Sequence, residues 1–136
     1  MKLRINNNSI RLRLSQTEVN DIGQGKAVYE DLKIGPSNTS AFRYSLIPDE
    51  EIQEVHAAFY DGNLEVTIPS KQGEKWAMSE EDVSIRSVQY EDTEGENLVL
   101  IEKDFQCLHK RPDEDESDSF PNPKSLDDYA KEKDTE

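Results

Sequence analysis

The sequence predicts a mainly β fold, an antiparallel sheet that is barrel-like or strongly curved, with one or two short helices. Three observations point there. Residues 2–14 and 55–68 each alternate apolar and polar side chains on either side of a two-residue turn. Short strand-like runs recur between clusters of Gly, Pro, Asn, Asp and Ser. The run at 97–105 is apolar on both faces, which favours a curled sheet over a flat one. An α+β split sandwich is the alternative that fits the same pattern.

Taken in order, the first hairpin sets Ile5 opposite Ile10 and Leu3 opposite Leu12 if Asn7-Asn8 forms the turn, since Asn tolerates positive φ. Ser15-Gln16-Thr17-Glu18 is a capping box, in which Ser15 caps the Glu18 amide and Glu18 reaches back. Val19 and Ile22 then share one side of a short helix at 16–22, stopped by Gly23 and Gly25. Residues 27–34 alternate as a strand, residues 35–40 form a turn cluster, and residues 41–47 form a strand ended by Pro48. The second hairpin turns at Asp61-Gly62, a favoured type I′ pair, which sets Phe59 opposite Leu64, Ala57 opposite Val66 and Val55 opposite Ile68. Pro69 ends its second strand. Residues 70–82 read as a loop or helical turn with Trp76, Ala77 and Met78 as an apolar plug. In the strand at 83–90 the apolar parity switches between Ile85 and Val88, the pattern of a bulge near Ser87. A turn at 92–95 leads into the strand at 97–105. No internal repeat is evident in the sequence.

Composition bounds the rest. Ten Leu, nine Ile, seven Val and four Phe in 136 residues put the strong apolar residues just above the roughly 20% level below which a highly charged chain stays unfolded, so the core is small. No run approaches the ~18 apolar residues of a membrane span, and the first residues lack the apolar stretch of a secretory signal. One cysteine excludes an internal disulfide framework and a four-cysteine zinc site. The net charge is −14, which repels nucleic acid and anionic membrane surfaces, and neither is expected as a partner. Charge is uneven: residues 1–14 hold four cations and no acid, whereas residues 91–136 hold six cations and 16 acids. Beyond His109 the composition turns acidic and poor in large apolar residues, the signature of disorder over 111–136.

Four features carry potential chemistry. In the Asn7-Asn8 register Arg4 faces Arg11 and Lys2 faces Arg13 on the non-core side, and like charges so placed destabilise a hairpin unless something neutralises them. Acids of neighbouring strands, such as Glu102 or Glu65, are the simplest partners. If the sheet closes, the same cations line a lumen and grip an anion, with Glu102 and Asp104 for acid/base or metal work. Cys107 and His109 share one side of an extended segment, but nothing around them resembles a nucleophile setting, so Cys107 reads as a small buried residue. Asp113, Asp115 and Asp118 fail the EF-hand test, because Asp118 stands where Gly is required and Lys124 where Glu is required. Trp76 with Tyr29, Tyr44, Tyr60 and Tyr90 is irregularly spaced and reads as core and rim packing. No catalytic set, metal site or cofactor motif is assigned.

Two segments resemble the ends of an uncharacterised bacterial domain family. They are Met1-Lys2-Leu3-Arg4-Ile5 with residues 8–19, and residues 101–108 continuing through Arg111 to Phe120-Pro121-Asn122-Pro123. The resemblance implies a small stand-alone cytosolic protein and supplies no activity. It also implies that the acidic Phe-Pro-Asn-Pro segment belongs to the domain, which favours docking over disorder; a docked segment would lay its acids over the basic stripe. The domain then spans 1–123 and the tail 124–136. The function expected is a non-catalytic binding or protein-interaction module. The alternative is an anion- or phosphate-binding protein or enzyme that uses Lys2, Arg4, Arg11 and Arg13.

Overall fold

Turn chemistry builds the two hairpins that the alternation requires. In the computed structural model, which describes residues 1–36 and 41–105, Asn7 takes φ 55°, and Asp61 and Gly62 take φ 50° and 77°. The first hairpin joins β1 (Lys2–Asn6) to β2 (Ser9–Leu14) with Leu3 opposite Leu12 and Ile5 opposite Ile10. The second joins β5 (His56–Tyr60) to β6 (Asn63–Pro69) with Ala57 opposite Val66 and Phe59 opposite Leu64. Each hairpin feeds a helix. After β2, α1 (Gln16–Gly23) carries the full capping box between Ser15 and Glu18 and buries Val19 and Ile22. After β6, α2 (Ser70–Met78) has no side-chain cap, and buries Gly73 and Trp76. Two further hairpins complete the described elements: β3 (Val28–Lys33) with β4 (Ala41–Asp49), and β7 (Ser84–Gln89) with β8 (Asn97–Lys103).

The mainly β class with two short helices stands as read from the sequence. The sheets are two, four-stranded and mixed, in the orders β1-β2-β8-β7 and β3-β4-β6-β5, and they do not close into a barrel. Each has a parallel pair at its centre, β2 with β8 and β4 with β6. The core lies between them: Leu12, Leu14, Ile101 and Val99 from the first sheet, Leu46, Val66 and Ile68 from the second, and Val19, Ile22 and Trp76 from the helices.

The topology is a duplication. The order β1-β2-α1-β3-β4 is repeated as β5-β6-α2-β7-β8, and each sheet takes one hairpin from each copy. β1 and β5 start 54 residues apart, as do the turn residues Asn7 and Asp61 and the helix starts Gln16 and Ser70. The helices meet at equivalent positions: a Cβ on Gly23 would stand 2.8 Å from that of Ala77, its counterpart 54 residues on. This is the contact expected across a twofold axis. The absence of an internal repeat, as read from the sequence, is therefore corrected. Over residues 2–23 no residue is identical to its counterpart, and only character persists, as with Leu12 and Leu14 against Val66 and Ile68.

Other expectations are corrected locally. Pro48 does not end β4, which runs to Asp49 beside β6. β3 pairs with β4 only as far as Leu46, so beyond it a missing N–H costs no bond on that side. There is no bulge at Ser87, since Ser84–Gln89 pairs without interruption against β8 and Val88 sits on the outer face beside Leu98. Residues 70–78 form a full helix, in which Trp76 is buried and Met78 is exposed.

Candidate functional site

The ladder registers divide the first sheet into two faces. Leu3, Leu12, Ile101 and Ile85 form one row, directed to the core. The flanking rows point outward: Lys2, Arg13, Glu102 and Ser84 on one side, and Arg4, Arg11, Leu100 and Arg86 on the other, followed by Asn6, Ser9, Leu98 and Val88. Both helices lie on the core side, through Val19, Ile22 and Trp76. The outer face therefore carries Lys2, Arg4, Arg11, Arg13 and Arg86, which are five of the eleven lysines and arginines among the described residues.

The expected opposition of Arg4 to Arg11 and of Lys2 to Arg13 is present. Neighbouring acids relieve part of it. One oxygen of Glu102 lies 3.6 Å from Arg11 Nε and 3.6 Å from Arg13 Nη2. Lys2 Nζ lies 3.3 Å from Asp104 Oδ2. Arg4 and Arg86 are exposed and make no ion pair among the described residues. The cations line no lumen, because they stand on the outer face of a sheet whose inner face is packed. Glu65 belongs to the other sheet and accepts the Tyr60 hydroxyl at 2.6 Å. Arg86, Val88, Leu98 and Leu100 escaped the sequence reading. The period-two parity of 84/86/88 and 98/100/102 was available, but strand order was not.

The facing edges of the two sheets differ. Between β5 and β7 the Gln89 amide acts as a missing strand: its Oε1 accepts from Ala57 N at 2.7 Å and its Nε2 donates to Ala57 O at 2.9 Å. Between β1 and β3, among the described residues, only the start of β1 is held. The Met1 ammonium donates to Glu18 at 2.6 Å and to Glu30 at 2.5 Å, and the Tyr44 hydroxyl donates to Met1 O at 2.8 Å. Burial opposes the charge on that ammonium, but the hydrogen bonds it donates to both carboxylates, with their charge, outweigh it and raise its pKa. Burial likewise opposes ionisation of Glu18, and its bonds to the ammonium and to Ser15 outweigh that and lower its pKa.

Elsewhere Lys103 donates to Ser79 O at 2.6 Å and lies 5.5 Å from the Trp76 ring, which makes it a lid on the core. An open cleft of about 890 Å³ at the helix ends is lined by exposed Glu50, Lys71 and Glu74 without convergent polar groups. Among the described residues no cluster of His, Cys, Asp and Glu is placed to hold a metal, and no helix is long and apolar enough to cross a membrane. Cys107, His109, the aspartates 113–118, the docking of Phe120-Pro121-Asn122-Pro123 and the tail 124–136 lie outside the described residues.

A family model described as a family of unknown function (DUF7009) matches residues 1–124. The chain belongs to this family. Its span includes the whole basic face as well as the acidic stretch that follows. No curated protein and no solved structure matches the chain.

Proposed function

We propose that this member of the family is a non-catalytic interaction module that binds an acidic protein segment on the outer face of its first sheet. One observation carries the reading: a chain of net charge −14 gathers five cations and three half-buried apolar residues, Val88, Leu98 and Leu100, on a single sheet face. Charge complementarity speeds encounter and selects the partner, while the apolar strip supplies contact area. Among the described residues no aromatic side chain stands on the face, and a stacking platform of the kind single-stranded nucleic acids use is not found there. The two carboxylates there among the described residues, Glu102 and Asp104, are engaged with Arg11, Arg13 and Lys2, which favours a binding role for the face over acid/base chemistry.

The test compares a synthetic peptide of mixed Asp, Glu and Leu with phosphate and pyrophosphate, by thermal shift and fluorescence anisotropy at low and moderate salt. The protein is compared with an Arg4→Ser/Arg86→Ser variant, which leaves the Glu102 ion pairs intact. Peptide binding that weakens with salt and falls in the variant is expected. Stabilisation by phosphate or pyrophosphate alone would replace this reading with the small-anion alternative. A flat response to all three ligands would overturn both.

A further inference from the structure

We infer that the edge of β1 away from β2, unpaired among the described residues, takes up an extended segment of the partner as an added strand, with acidic and apolar residues alternating along it. The inference rests on the acidic-partner reading and assigns its manner of binding.

The duplication makes the case. In the second copy, the N–H and C=O of Ala57 point away from β6 and are both satisfied by Gln89. The counterpart of Ala57 in the first copy is Leu3, and the ladder rows place Leu32 where Gln89 stands. Leucine cannot bond a backbone. By the alternation of an antiparallel hairpin, the N–H and C=O of Leu3 and Ile5 face away from β2, and no backbone partner meets them among the described residues. Ile5 and Leu32 beside this edge are 60% and 54% exposed. An unpaired edge flanked by exposed apolar side chains is the surface that strand addition uses.

Register and charge then specify the occupant. Lys2 and Arg4 point outward from β1, whereas Leu3 and Ile5 point inward. A strand laid beside β1 continues these rows, so its outward residues meet the cations and its inward residues cover Ile5 and Leu32. Alternating acidic and apolar residues satisfy both. A second copy of β1 on the same edge would set Lys2 and Arg4 against their own kind, which disfavours self-pairing.

The test uses the full chain, isotopically labelled, and a synthetic ten-residue peptide of alternating Asp and Val. A second peptide has the same composition, with its acids and valines in separate blocks. Strand addition requires the alternating peptide to bind at least ten-fold more tightly than the blocked one. It also requires the amides of Leu3 and Ile5 to exchange at least ten-fold more slowly in the complex. An Ile5→Pro variant breaks no bond to β2 but loses the outward N–H together with the Ile5 side chain, and is expected to bind at least ten-fold more weakly, with its melting temperature within a few degrees of the parent. If that variant does not fold, the amide protection in the parent decides. Salt-sensitive binding of both peptides with Leu3 and Ile5 unprotected would overturn the edge assignment and leave the face reading standing. Binding of neither peptide at low salt would end both.

Discussion

Gln89 joins the two sheets with one side chain, bonding the Ala57 N–H and C=O and donating to Asn97 Oδ1 at 3.1 Å. Replacing it by leucine recreates the first copy's Leu32 and strands two half-buried backbone groups. Gln89→Leu should cost about 1–3 kcal/mol in chemical denaturation, the usual penalty for unpaired buried polar groups. A loss inside the noise of the measurement would make the stitch incidental. At the opposite seam the Met1 ammonium and Glu18 set a pH window. The ammonium's raised pKa gives stability that is complete below its ordinary value of 8.0 and lost as pH climbs through the higher folded value. Glu18's lowered pKa gives stability that is complete above its ordinary value of 4.5 and lost as pH falls through the lower folded value. The contribution of this pair therefore plateaus between about 4.5 and 8.0. A pH series of melting temperatures on the protein and on Glu18→Gln should show the two curves furthest apart inside that window. Residue-scale features of this kind divide sharply in legibility. The Ser15/Glu18 box and the turns at Asn7 and Asp61 could be read because their partners lie within a few positions in sequence. The Gln89–Ala57 bond could not, because its partners come from different hairpins 32 residues apart.

At the scale of elements, the helix pair shows how the duplication constrains single side chains. α1 and α2 approach through Gly23 and Ala77 at one point, and through Gly73 and Ile22 at another, where a Cβ on Gly73 would lie 3.0 Å from Ile22 Cγ2. There is room for one methyl group between positions 23 and 77, and it belongs to Ala77. Gly23→Ala adds a second and forces the helices apart, and overpacking of this sort costs about 1–3 kcal/mol against a helix-propensity gain of up to about 1. Combining it with Ala77→Gly moves the methyl across the axis, and the double variant should recover to near the parent. Urea melts of the three variants check this, and a double variant no better than Gly23→Ala would remove the claim that these positions are equivalent. The same scale explains why α2 read as a loop. Pro69 offers no capping side chain, and Ser70 and Gly73 weaken the propensity of its first turn. The helix is held instead by burial of Trp76, whose Nε1 donates to Val83 O at 3.4 Å. Val88 misled for a related reason. Its parity suggested a bulge, but the outer face on which it sits is itself partly apolar, through Leu98 and Leu100. The candidate face was thus half legible: Lys2, Arg4, Arg11 and Arg13 lie in one hairpin, whereas Arg86 arrives through the pairing of β8 with β2.

For the whole molecule, the exchange of hairpins between copies decides what can fold alone. Residues 2–49 hold β1, β2, α1, β3 and β4, yet β2 finds its parallel partner in β8 and β4 finds its own in β6, both in the second copy. Neither copy can build a four-stranded sheet from its own chain. Each alone would leave two separate hairpins, and two-stranded units are marginal in water. The link between copies is short and exposed at Glu50 and Glu51, so a cut there removes no core contact. Two consequences follow. A chain cleaved between Glu51 and Ile52 should stay associated, retain its circular dichroism, and unfold as one cooperative unit at lower temperature, since association must now offset the entropy of a second molecule. The fragments 1–51 and 52–136, prepared separately, should each lack a cooperative melt and regain it on mixing at one to one. Because all the central pairing is long-range, refolding of the uncut chain should fall in the millisecond-to-second range of non-local β topologies rather than the microseconds of helical bundles. Circular dichroism and size exclusion of the fragments give the decisive reading. A cooperative transition in either fragment alone would mean that one copy can satisfy its strands by itself, and the exchanged pairing would then not be what holds the molecule together.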